Sequence, residues 1–239
     1  MTGLVRKATL LSVCGLFVAG AAMASVPSAT NSTMQTGGLP PGNGKVIHLI
    51  GANGSTLSTV GDYTVTVRDI ANNPIQNSSL VLDFTQCGTT DAVIASTQLE
   101  AGVTLDCSTK SVRASTDASG VFTFKVMGKS QNPAGGAAGV AVPCLRIFAD
   151  GVLLDPQHVG PFAGVKAVIV APYDESGGGG FAGGDLASFV GDLFHTPPTY
   201  FARSDFDGNG SVTALDLSNQ VGAFFAPGGS WGTSPLACP

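Results

Sequence analysis

The chain has 239 residues, 44% of them hydrophobic but only 11% charged, with 33 glycines and a formal net charge of −5. That length holds one large domain or two small ones, and the apolar fraction is enough to build a core. Sparse, mildly acidic charge without a basic patch excludes nucleic acid as a partner, and the glycine-rich, charge-poor composition points to an extracellular, mainly β protein.

The first residues carry a targeting pattern. Arg6 and Lys7 form a positive n-region, Ala8 to Ala22 an apolar stretch, and Ala22-Met23-Ala24 a small-residue cleavage site. Residues 1–24 are thus expected to be a signal peptide, with Ser25 as the mature start. The apolar stretch is short for a membrane span, and Val13 beside Cys14 is too large for a lipidation signal. No other segment is apolar enough to span, so a secreted, extracellular or cell-surface protein is expected. Residues 25–44, rich in Ser, Thr, Gly and Pro, read as a flexible linker. Cleavage would leave Cys87, Cys107, Cys144 and Cys238, an even set that suits two disulfides in an oxidising compartment. Three connectivities are open. Proximity in sequence favours Cys87 with Cys107, which leaves Cys144 for Cys238.

From Lys45 onward the chain alternates. In Asp62 to Asp69, Tyr63, Val65 and Val67 fall on one face and Thr64, Thr66 and Arg68 on the other, the period of a half-buried strand. Val46 to Ile50, Leu80 to Phe84, Val121 to Val126, Cys144 to Phe148 and Val165 to Val170 read the same way. Asn72-Asn73-Pro74 and Asp117-Ala118-Ser119-Gly120 supply turns, the latter with a glycine free to take positive φ. Short strands between turn signals predict a β-sandwich over residues 45–172. Val67-Arg68-Asp69 with Asn73-Pro74-Ile75, then Thr116 to Phe124, resembles bacterial immunoglobulin-like domains of the invasin type. Such domains are spacers or adhesive modules, and the resemblance implies no particular ligand.

After Pro172 the pattern repeats at a constant offset. Leu186, Phe189, Val190, Leu193 and Phe194 have helical spacing, and so do Leu217, Val221, Phe224 and Phe225, with Gln220 as the one polar replacement. Two short amphipathic helices are expected, each begun by an aspartate and packed together by these apolar faces.

The stretch DFDGNGSVTALD precedes the second helix. Ca²⁺ takes six to eight oxygens, and a twelve-residue loop supplies them from positions 1, 3, 5, 7, 9 and 12. With Asp205 first, those positions hold Asp205, Asp207, Asn209, Ser211 through its carbonyl, Thr213 and Asp216. Gly210 is the turn glycine, and the one departure from the general EF-hand pattern is Asp instead of Glu at the last position. The upstream copy is weaker: Asp174, Ser176 and Asp185 occupy positions 1, 3 and 12, and glycines fill 5, 6 and 7.

The repeated unit, residues 173–228, resembles a type I dockerin domain, whose two Ca²⁺ loops each lead into one helix and end in Asp. The resemblance implies Ca²⁺ as the bound ion and attachment to a cohesin-like protein, often within an extracellular polysaccharide-degrading complex. The family's partner-reading loop positions hold Gly183, Gly184, Ala214 and Leu215 here, not its usual hydroxyl pair. The alternative is that the fold serves an internal contact or a contact with a surface protein. Residues 229–239 form a C-terminal tail.

Nothing in the sequence assembles catalytic machinery. Glu100 and Glu175 are the only glutamates, and His48, His158 and His195 are scattered. His48 reads as a surface or edge residue of its strand. A non-catalytic chain is expected. The alternative is a carbohydrate-binding module or accessory subunit of polysaccharide breakdown, although Tyr63 and several Phe are the only aromatics of the strand region, with Tyr200 and Trp231 beyond it.

Overall fold

Twelve strands and two helices follow one another in the computed structural model, which describes residues 25–38, 43–51, 60–89, 92–98, 100–130, 143–177, 180–195, 201–225 and 237–238. The strands are β1 (Thr33–Thr36), β2 (Val46–Leu49), β3 (Asp62–Thr66), β4 (Ser79–Asp83), β5 (Ala92–Ile94), β6 (Thr104–Asp106), β7 (Ser111–Ser115), β8 (Val121–Lys125), β9 (Gly128–Ser130), β10 (Arg146–Ala149), β11 (Val152–Leu153) and β12 (Ile169–Pro172). The helices are α1 (Gly183–Leu193) and α2 (Ala214–Phe224). The chain is mainly β. The predicted signal peptide with Cys14, together with Tyr200 and Trp231, lies outside the described residues.

Two antiparallel sheets share the larger core. One has the order β1-β3-β8, the other β11-β10-β4-β7-β6. In β3 the alternation holds: Tyr63 and Val65 are buried and the residues between them are half-buried. They meet Leu80 and Leu82 of β4, Val112 of β7, Phe124 of β8 and Ile147 of β10. Each such side chain contributes about 1.5–3 kcal/mol through removal from water. At the turn into β8, Asp117 Oδ1 accepts hydrogen bonds from the Ser119 and Val121 amides, and Gly120 sits at φ +75°. A Cβ there would lie 2.6 Å from the Val67 carbonyl oxygen, so glycine is required on both counts.

The segment expected to be a linker contributes a strand. β1 pairs antiparallel with β3, placing Met34 opposite Val65, and buries Met34 and Thr36. Its polar composition hid a short alternation of exposed and buried residues whose inward members meet the open edge of β3.

The disulfides also differ from the expected pairing. Cys87 is bonded to Cys144, and Cys107 to Cys238. Strand pairing explains the first bridge: Arg146 of β10 lies opposite Asp83 of β4, which brings Cys144, two residues before β10, beside the turn after β4 that carries Cys87. For the second, the tail returns to the strands, with Ala237 bridged to Ala95 and the Cys238 amide donating to the Ile94 carbonyl. Sequence proximity was a poor guide because sheet partners are distant in sequence.

Strands β2 and β12 pair in parallel, and every residue of both is buried. The two-residue period divides them between two cores. Ile47, Leu49 and Val170 face the larger core; Val46, Ile50, Ile169, Ala171 and Tyr173 face a second one, completed by Phe181, Phe189, Phe206 and Ala223 from the C-terminal region. The helical unit thus rests on the strands and shares a core with them. His48 belongs to this second side and is 3% exposed, so it is not a surface residue, although its strand is an edge of the two-stranded β12-β2 sheet. Alternation alone placed it outside because it could not show that a second layer covers that face.

Candidate functional site

Each helix is entered through a loop whose aspartates gather backbone N–H groups. In the second loop Asp216, in the first turn of α2, accepts from the Asp207 amide at 3.0 Å through Oδ1 and from the Thr213 amide at 2.8 Å through Oδ2. Thr213 caps the helix by accepting from the Leu215 amide. Asp205 accepts from the Asn209 and Gly210 amides at 3.1 and 2.8 Å. Gly210 has φ +89°, and a Cβ on it would meet Pro161 Cγ at 2.6 Å. These bonds bend the loop back on itself and aim its carboxylates inward.

The consequence is a cluster. Oxygens of Asp205, Asp207 and Asp216 all lie within 4.8 Å of one another, the one such group of three among the described residues. Asp205 and Asp216 are fully buried and Asp207 is half-buried. Burial pushes the Asp216 carboxyl above its ordinary range, with the neighbouring Asp207 charge acting the same way. Of the remaining predicted ligands, Asn209 turns Oδ1 to the Ser211 amide and hydroxyl at 2.9 and 2.6 Å. Thr213 Oγ1 donates to Asp216 Oδ2 at 3.0 Å. The three carboxylates are therefore brought together, while Asn209 bonds to Ser211 and Asp207, and Thr213 bonds to Asp216. Three carboxylates held within 4.8 Å of one another offer the oxygen donors that suit a hard divalent ion.

The first loop repeats the scaffold with fewer charges. Asp185 accepts from the Ser176 and Ala182 amides at 2.7 and 2.5 Å, and Asp174 accepts from the Gly180 amide at 3.3 Å and the Ser176 hydroxyl at 3.5 Å. Burial raises the Asp185 carboxyl as well. Two carboxylates and a serine make a weaker donor set than the second loop offers.

Between the repeats lies a buried polar network that the sequence did not reveal. Arg203 Nε and an Nη donate to both oxygens of Asp192 on α1, at 2.7 and 2.8 Å, with both side chains 2% exposed. Ser204 Oγ lies 2.6 Å from Asp192 Oδ2 and 3.2 Å from Glu175 Oε2, and Gln220 Nε2 donates to Glu175 Oε1 at 3.1 Å. Burial first, and Asp192 second, push the Glu175 carboxyl well above the usual range. The Ser204 hydroxyl has a single proton to share between these two carboxyls, and Asp192 lies at the shorter distance. The only sequence signal of this network was Gln220, the polar residue interrupting the apolar repeat.

That network also rotates the helices from their expected setting. α1 buries Asp185, Ser188, Phe189 and Asp192, and α2 buries Asp216, Asn219, Gln220 and Ala223. Leu186, Val190, Phe194 and Phe225, assigned to the packed faces from their spacing, are 38%, 37%, 78% and 78% exposed. The hydrogen-bonding needs of Asp192 and the loop aspartates outweigh a strict apolar stripe.

Beneath the second loop, Tyr173 and Phe206 stack at 5.1 Å between ring centroids, beside His48. His48 Nε2 is 3.0 Å from the Phe206 carbonyl oxygen, and Nδ1 is 2.9 Å from the Tyr173 hydroxyl. Burial lowers the His48 pKa from 6.5 to about 4, against the raising effect of the Phe206 carbonyl. The unfolded chain therefore takes up a proton near pH 6.5 that the folded chain refuses until about pH 4. Stability is expected to fall as pH drops through that window, by up to about 3 kcal/mol. Urea unfolding at pH 7 and pH 4.5 checks this, and His48→Gln should remove that part of the acid sensitivity.

No protein-family model, curated protein or solved structure matches this chain. Two disulfides are formed, and no described helix is long and apolar enough to cross a membrane.

Proposed function

We propose that the chain is an exported, non-catalytic Ca²⁺-binding protein, an immunoglobulin-like β-sandwich joined to a dockerin-like unit that attaches it to a protein partner. The setting would be the cell surface or an extracellular complex of the polysaccharide-degrading type. The observation that carries the ion reading is the convergence of Asp205, Asp207 and Asp216 from positions 1, 3 and 12 of one loop. A bound divalent cation would offset three like charges held close together and largely out of water. Asp174 and Asp185 with Ser176 would make the weaker second site. The attachment reading is supported by Leu186, Val190, Phe194, Leu215 and Phe225, large apolar side chains left exposed on the two helices.

Calcium titration calorimetry on the full chain tests the ion reading. Wild type is expected to give saturable heat, and Asp207→Ala to weaken the stronger site about tenfold or more, because a charged ligand is lost while Asp205 and Asp216 keep their amide partners. Equal binding curves for the two proteins would reject loop 205–216 as the site. Pull-down from culture supernatant, with and without chelator, tests attachment; capture independent of Ca²⁺ would separate the partner face from the ion.

A further inference from the structure

The hydrogen-bond donor beneath the second loop comes from a strand far away in sequence. The Phe206 carbonyl can only accept, so the His48 nitrogen facing it at 3.0 Å must carry a proton. A neutral ring then leaves Nδ1 as an acceptor, and the Tyr173 hydroxyl donates to it at 2.9 Å. Only one tautomer satisfies both contacts. The Phe206 carbonyl and the Asp207 N–H belong to the same planar peptide and point in opposite directions. The carbonyl is held by His48, and the N–H donates to Asp216 Oδ1 at 3.0 Å. The chain of contacts therefore runs Tyr173 to His48, to the 206–207 peptide, to the last carboxylate of the loop.

We infer that His48 is a positioning residue for the cation loop, fixing the 206–207 peptide so that its N–H orients and holds the Asp216 carboxylate. The inference rests on the calcium reading of residues 205–216. Tyr173 and Phe206 complete the brace, since their stacked rings enclose the imidazole on the buried side. The arrangement ties the site to β2, so that the strands and the loop share one hydrogen-bonded path. A structural partner orienting a ligand in this way commonly changes affinity by ten- to a hundredfold when removed.

The test compares His48→Leu, His48→Gln and Tyr173→Phe with wild type as full chains. Glutamine keeps an N–H near the position of Nε2, while leucine keeps only bulk. The expected calorimetric result is about tenfold or weaker Ca²⁺ binding for His48→Leu, with His48→Gln returning most of the affinity. Two metal-free readouts accompany it. Nitrogen-15 NMR should show His48 protonated on Nε2 and not on Nδ1, and the Asp207 amide should exchange faster in His48→Leu than in His48→Gln. If His48→Leu fails to fold, Tyr173→Phe should still lower both the tautomer preference and the affinity. Wild-type affinity in His48→Leu or in Tyr173→Phe would overturn the inference alone. Absence of Ca²⁺ binding by wild type would overturn the calcium reading and this inference with it.

Discussion

Arg203→Ala is expected to destabilise the chain by about 3–5 kcal/mol, among the largest losses any single side chain here can produce. The guanidinium is 2% exposed and makes two bonds to Asp192, whose carboxylate is equally buried. Removing it strands that carboxylate in a site where Glu175 is already raised by burial and by the same neighbour. Asp192→Ala should be costly for the mirror-image reason, leaving Arg203 charged over the Phe201 ring without its anion. The two losses should not add. Asp192→Leu with Arg203→Met replaces both charges by apolar groups of comparable bulk and is expected to recover much of the loss. Urea unfolding of wild type, Asp192→Leu, Arg203→Met and the double variant measures the coupling. Additive losses would mean that the pair does not act as a unit. The network also explains how a helical repeat with imperfect apolar spacing holds together: Asp192, Arg203 and Gln220 fix the two halves against each other by directional bonds.

Opening the Cys107–Cys238 bridge is expected to cost about 4–5 kcal/mol, the entropy of a loop exceeding a hundred residues in the unfolded chain. Its cysteines are 131 apart in sequence, against 57 for Cys87–Cys144. The longer loop encloses β7 to β12 and both helices, so the bridge holds the end of the chain against β5 and β6. The double variant Cys107→Ser, Cys238→Ser should unfold at clearly lower urea than wild type, with the second core affected along with the first. A loss below about 1 kcal/mol would mean that the tail contacts at Ala95 and Ile94 suffice without the covalent tie.

The parts of the fold that were legible were those set by local chemistry. The alternation of Tyr63, Val65 and Val67, the Asp117 to Gly120 turn, and the two helices all have short-range causes. The three converging carboxylates were legible too, because loop spacing and Gly210 dictate them. What failed depended on partners distant in sequence. β1 was hidden because its inward residues, Met34 and Thr36, look like linker until β3 lies beside them. His48 was misplaced because its strand is covered on both faces. The disulfide pairing followed sheet register, and the helix faces followed a salt bridge between residues whose proximity no periodicity encodes.

The central claim is that residues 205–216 grip a divalent ion, and it is tested most directly by following backbone amide resonances of the full chain during a calcium titration. The Asp207, Asn209, Gly210 and Thr213 amides donate to Asp205 and Asp216, so they report on those carboxylates. Saturable shifts centred on these four amides are expected, with smaller and later shifts at Ser176 and Ala182 in the weaker loop. If the four stay unmoved up to about 10 mM Ca²⁺, beyond the range of even weak extracellular sites, the aspartates are only a hydrogen-bonded turn and the account is contradicted.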